Sequence, residues 1–205
     1  MNPKFFDLSK EKQARILNGA LKAFSQADYK HTITDDIAAY AGISKGLLFH
    51  YFENKKTLYL YLYQYSMQYV QEHVSDQTLW RERDFFDLIA HSQQVKLEIM
   101  HAYPYLFDFL LRAYYEKNEG VAAEIAGYNH QSFAAGIQLL YTQTDLFKFK
   151  EGIDVKQVIN LILYSAEGFM KLRLQTEKRD LEALSDEFLA ILALLKQNFY
   201  KEEYL

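Results

Sequence analysis

No cysteine occurs among the 205 residues. That excludes disulfides, thiolate metal sites and a cysteine nucleophile. Proline is nearly absent too, with two residues, and the eight glycines are scattered. Such sparse punctuation leaves no linker, low-complexity tract or internal repeat, and it points to a mostly helical chain. The opening MNPKFFDLSKEK lacks an apolar core of signal-peptide length. No uncharged apolar run approaches about 18 residues, so no membrane partner is expected and a cytoplasmic location is. Gly-rich phosphate loops and a Ser-His-Asp arrangement are missing as well, and no catalytic residue, metal or cofactor is expected.

What is present is half hydrophobic, with 17 Tyr and 15 Phe, and carries a net charge of -4. The charge is unevenly spread. Residues 1–58 hold nine Lys/Arg against six Asp/Glu, a net of +3, which leaves -7 on the remainder. A basic head on an acidic body suits a protein whose head meets phosphates and whose body faces away.

Helical stripes account for most of the chain. Ser9 can cap a first helix to about Ala27, with Ile16, Leu17, Ala20, Leu21 and Phe24 on its inner face. Thr57 to Val74 alternates Tyr and Leu like a strand. It has no partner strand, and it follows a capping Asn54 without a turn, so a helix is expected. Asp84 can cap a helix through about His101, and Pro104 sits near the start of another. Asn118 to Tyr141 gives a longer helix, Phe147 to Gly152 a loop, and Asp154 caps a helix through about Thr176. Asp180 opens the last one. The two final helices are apolar on more than one side, which suits a four-helix bundle formed by two copies.

The chain is organised around Thr34 to Lys56, TDDIAAYAGISKGLLFHYFENKK. Thr34 is a candidate N-cap, with Asp35 and Asp36 where the helix dipole favours negative charge. Gly42 falls where a chain leaving a helix needs a positive φ. Ser44 caps the next helix, Leu48 and Phe52 face inward, and Asn54 caps again. This spacing spells a helix-turn-helix, whose second helix enters the DNA major groove.

ISKGLLFHYFENKKTLY resembles the signature of the tetracycline-repressor (TetR) family of bacterial transcription regulators, over roughly Lys10 to Tyr63. The resemblance implies an all-α protein. A three-helix DNA-binding head would occupy residues 1–56, and a helical effector-binding and dimerisation body residues 57–205. It further implies a homodimer through the last two helices. That dimer would be a repressor of a pseudo-palindromic operator, released by a small-molecule effector. Position by position, Thr34 would hold a phosphate, with Ser44 capping beside it. Lys45, Gly46, Leu47, Phe49 and His50 would face bases or nearby backbone, and Tyr51 and Lys55 would grip phosphates. The family commonly has Thr where Leu47 stands and Tyr where Phe49 stands. Both changes remove a hydroxyl and leave contacts to thymine methyl groups.

The effector pocket implied for the body is drawn from His101, Tyr105, Asp108, Phe109, Arg112, Tyr141, Tyr164 and Glu167. Core filling is the competing role for the aromatic members. An ion pair with Lys171 at i+4 is the competing role for Glu167. Two alternatives remain at this stage. One is a DNA-binding regulator controlled by a protein partner. The other is a helical metalloenzyme, because Glu98 and His101 have the Glu-x-x-His spacing of a di-iron site, although no second copy is found.

Overall fold

A computed structural model describes residues 2–74, 81–175 and 181–205. The described residues form nine α-helices: α1 (Lys10–Gln26), α2 (Thr34–Ala41), α3 (Lys45–Phe52), α4 (Lys55–Val74), α5 (Phe85–Ala102), α6 (Pro104–Tyr114), α7 (Ala122–Gln143), α8 (Val155–Gln175) and α9 (Leu181–Phe199). Among them no strand forms, and one isolated bridge joins Phe149 to Tyr200. No described helix is long and apolar enough to cross a membrane.

The chain divides into two compact units. The first is Met1–Gln71 with Ile99–Gln131, and the second is Glu72–Glu98 with Ser132–Leu205. The boundary expected at 56/57 falls inside the first unit, because α4 and α6 pack with the head.

Local chemistry sets most helix ends. Ser9 Oγ accepts from Lys12 N at 3.3 Å and starts α1. Gly42 closes α2 at φ 64°, its N–H reaching the carbonyls of Ala38 and Ala39. Ser44 Oγ accepts from Leu47 N at 3.2 Å, and Asn54 Oδ1 from Thr57 N at 2.8 Å. Two expected ends differ. Thr34 is already helical, and the N-cap of α2 is Ile33, with no side-chain hydrogen bond. The seventh helix begins at Ala122, because Asn118 is spent on a turn: its side chain accepts from Gly120 N, and its carbonyl from Val121 N and Ala122 N. The ends expected at Thr176 and Asp180 lie outside the described residues.

The Tyr-rich run of α4 is helical, and the period of the helix explains its composition. Tyr59 and Tyr63, four apart, are buried with Leu58 and Leu62. Tyr61 and Tyr65 share another face, where Tyr61 meets Phe5 and Phe52. The stripe on α1 is buried as expected. Phe24 packs on Tyr59 and on Phe109 of α6, at ring-centroid distances of 4.9 and 5.9 Å. Burial pushes the Tyr59 and Tyr63 phenols well above their ordinary range, and Tyr63 OH donates to Asn129 Oδ1.

One turn in the head carries strain. Glu53, after α3, sits at φ 63° and ψ −53°, and Asn54 N donates to Phe52 O at 2.7 Å. That is a γ-turn with a non-glycine residue at its centre. Glu53→Gly is therefore expected to raise stability by about 1 kcal/mol in a chemical denaturation series. A loss of stability would show that the turn is held there at no strain.

In the second unit Phe85, Phe86, Phe149, Val158, Ile162, Phe188, Leu192 and Tyr200 form the core. Asp84 joins three segments there. Its Oδ1 accepts from Phe86 N and Asp87 N and so caps α5. Lys148 Nζ lies 2.9 Å from Oδ2, and Lys196 Nζ lies 3.2 Å from Oδ1. Burial alone would raise the Asp84 pKa. The hydrogen bonds from Lys148 and Asp87 N, with the charge of Lys196, outweigh it and hold the carboxyl below its usual 3.8. A lowered folded-state pKa contributes stability above the unfolded value, and that stability is lost as pH falls through the folded one. Acid unfolding of this unit is expected to begin below about pH 4, and Asp84→Asn should flatten that limb.

Candidate nucleic-acid interface

The helical period splits α3 into two faces. Leu48, Tyr51 and Phe52 point inward and are buried. Lys45, Gly46 and His50 are exposed, and Leu47 and Phe49 are half-buried. The inward face is fixed by aromatic packing: Phe5 lies edge-on to Tyr51 at 5.9 Å and tilted on Phe52 at 4.9 Å. A rigid helix therefore presents Lys45, Gly46, Phe49 and His50 as one outward row. The fold makes no use of the gap at Gly46, since a Cβ built there would meet no atom within 4 Å. The row is open to close approach from outside.

Lys45 Nζ lies 2.9 Å from Asp35 Oδ2 on α2. Both side chains are exposed, so water and salt screen the pair and little is lost when an incoming base or phosphate takes the ammonium. Thr34, half-buried, opens α2 on the same helix-turn-helix. Ser44 is a cap, and its hydroxyl is committed to Leu47 N.

Two expected phosphate contacts are placed otherwise. Tyr51 is 5 % exposed, a core residue set between Phe5 and His50. It falls on the inward face because it lies three residues after Leu48. Lys55 is half-buried: its Nζ donates to Lys30 O and Thr32 O at 3.3 and 3.0 Å and sits 4.8 Å from the centre of the Tyr29 ring. Burial pushes its pKa down, against the pull of Asp28 and Glu116. The side chain ties the start of α4 to the α1–α2 connection.

The N-terminal turn is an addition the motif did not signal. Asn2 N donates to Tyr51 O at 2.8 Å, and Asn2 Nδ2 lies 3.5 Å from His50 Nε2. Phe5 anchors this turn at 0 % exposure. The doublet Phe5-Phe6 was the one signal available in the sequence.

The residues considered for an effector pocket scatter in role. Phe109 is fully buried among Phe24, Tyr59 and Tyr63, so it fills core. Arg112 Nε donates to Ser25 O at 2.6 Å and fastens α6 to α1. Tyr105 is exposed beneath Lys22, Asp108 is half-buried, and His101 is exposed at the end of α5. In the second unit Tyr141 is exposed and Tyr164 is 68 % exposed, so Tyr164 is no pocket wall. Glu167 pairs with Lys171 at 2.8 Å, the competing role foreseen for it. No group of three or more His, Cys, Asp or Glu among the described residues is arranged to hold a metal, and Glu98 and His101 gain no further ligand.

Residues 16–62 match the family described as bacterial regulatory proteins, tetR family. The chain is 35 % identical over 95 residues to the HTH-type transcriptional regulator RutR of Escherichia coli K12, covering 45 % of this chain and 43 % of that protein. It thus spans less than half the length of the curated relatives it matches. Its fold resembles that of a TetR family regulator from Chloroflexus aurantiacus, with TM-score 0.66, 18 % identity and coverage of 98 % and 99 % of the two chains. It also resembles the fatty acid degradation regulator FadR from Bacillus halodurans, with TM-score 0.72, 18 % identity and coverage of 87 % and 96 %. A third likeness is FadR from Bacillus subtilis in complex with stearoyl-CoA, with TM-score 0.62, 19 % identity and coverage of 87 % and 96 %.

Proposed function

We propose, from the premise that this chain belongs to the tetR family of bacterial regulatory proteins, that it is a DNA-binding transcriptional regulator. In this reading it is a homodimeric repressor of a pseudo-palindromic operator, released by a small-molecule effector. The observation that carries the reading is the outward row Lys45, Gly46, Phe49 and His50, held on α3 by a buried aromatic face and open to close approach at Gly46. Lys45 at the helix N-terminus is placed to donate to guanine acceptors, and Phe49 can meet a thymine methyl.

A dimer follows from the uncovered side of the last helices. Leu161, Tyr164 and Leu172 recur on α8 at helical spacing and are exposed, as is Leu194 on α9. Two copies that bury these stripes form a four-helix bundle. Half-sites lie about 34–36 Å apart per helical turn, so a dimer reads both only at one spacing of its recognition helices. An effector releases DNA if it binds a state with another spacing more tightly. The FadR relative in fold that holds stearoyl-CoA supports a small-molecule effector rather than a protein one.

Selection of genomic fragments by the purified protein, then gel shift at two salt concentrations, tests the reading. A palindromic site bound by a dimer is the expected result, and binding blind to sequence would sink it. Lys45→Ala should cost about 1–3 kcal/mol at the selected site and relax the preference at one base pair. Equal losses on specific and random DNA would reassign Lys45 to a phosphate.

A further inference from the structure

Pro3–Phe5 form a short 3₁₀ turn that is fastened to the end of α3 at three points. Asn2 N donates to Tyr51 O at 2.8 Å, one of the carbonyls a helix leaves open at its C-terminus. The Phe5 ring is fully buried against Tyr51, Phe52 and Tyr61. The third point reaches the outward row. Asn2 Nδ2 lies 3.5 Å from His50 Nε2, at the long end of hydrogen bonding.

The two ends of the Asn2 amide have different partners. Oδ1 accepts from Lys4 N at 3.0 Å, so it faces back into the turn, and the NH2 group faces His50. An amide NH2 only donates, so Nε2 is the acceptor and the neutral ring carries its proton on Nδ1. His50 is exposed and makes no other hydrogen bond among the described residues. A ring that turned freely would offer DNA either a donor or an acceptor. Held by Asn2, it offers the Nδ1–H donor.

We propose that Asn2 is a positioning residue for DNA recognition: it fixes the His50 ring so that Nδ1–H meets an acceptor on the operator, a base edge or a phosphate oxygen. The proposal rests on the regulator reading above and deepens it. The exocyclic amines of adenine and cytosine are donors in the major groove, and a ring held this way does not pair with them.

Asn2→Ser isolates the effect. Its hydroxyl can still accept from Lys4 N and cap the turn, but it is too short to reach His50. In gel shift on the selected operator, Asn2→Ser should bind about threefold to tenfold more weakly. In a His50→Ala background the same change should cost nothing, because the group it acts through is gone. A loss confined to one base pair upholds the proposal with a base as the acceptor. A loss equal on specific and random DNA upholds it with a phosphate. Nitrogen-15 spectra of the free protein at about pH 8, where imidazoles are ordinarily neutral, read the ring itself. With the His50 signals assigned from His50→Ala, the wild type should show protonated Nδ1. Asn2→Asp, which accepts rather than donates, should show protonated Nε2. Protonated Nε2 in the wild type overturns the proposal, as does operator binding that ignores Asn2→Ser or loses as much without His50 as with it. Operator binding by the wild type keeps the regulator reading intact in each of those cases. A wild type that selects no site sinks both.

Discussion

Gly19→Ala is expected to lower the stability of the protein by about 2 kcal/mol and to weaken operator binding with it. The residue sits inside α1, where alanine is ordinarily the better helix former by nearly 1 kcal/mol. Here a Cβ would lie 2.6 Å from Ala41 Cα and 2.7 Å from the Tyr40 carbonyl carbon, and nearer still to Ala41 N. These are backbone atoms at the end of α2, so no side chain can rotate away. The helices must separate, and Gly42 and α3 follow directly on the segment that moves. Urea unfolding and gel shift of the same preparations read both effects. Gly127→Ala is the control: it is also a helical glycine, but with nothing within 4 Å of its Cβ position, and it should gain up to about 1 kcal/mol. Gains at both positions would mean that α1 and α2 are not in contact there.

Phe109→Ala should cost more, about 3–5 kcal/mol. The ring is 0 % exposed and meets Tyr59 at 5.2 Å, Phe24 at 5.9 Å and Tyr63 at 6.3 Å between centroids. Removing it leaves a cavity between α1, α4 and α6 that three large rings cannot collapse into without leaving their rotamers. Phe147→Ala, at a ring 60 % exposed, should stay within about 0.5 kcal/mol. Because α6 belongs to the same compact unit as the helix-turn-helix, DNA affinity should fall together with stability in Phe109→Ala. Full affinity at reduced stability would show that the head holds its shape without α6.

Periodic and capping signals made much of this legible beforehand. Ser9, Ser44, Asn54 and Asp84 cap the helices they precede, and Gly42 adopts the positive φ its position required. Local hydrogen bonds decide these features, and both partners lie within a few residues. The outward row of α3 was legible for the same reason. Tyr51 and Lys55 were not, since a Tyr or Lys beside a basic helix looks the same whether it reaches outward or packs inward. Packing against Phe5 and Tyr29 decided that, from more than 20 residues away. Arg112 is similar, because the Ser25 carbonyl that binds it lies 87 positions earlier.

By itself, then, the sequence determined the helices, most of their caps, the helix-turn-helix and the outward row of α3. These follow from dihedral preferences, side-chain caps and a 3.6-residue period that act over one or two turns. The tertiary structure alone decided that α6 joins the head and that Gly19 must stay without a side chain. Those facts depend on which distant surfaces meet, and close packing makes each meeting specific to the ångström.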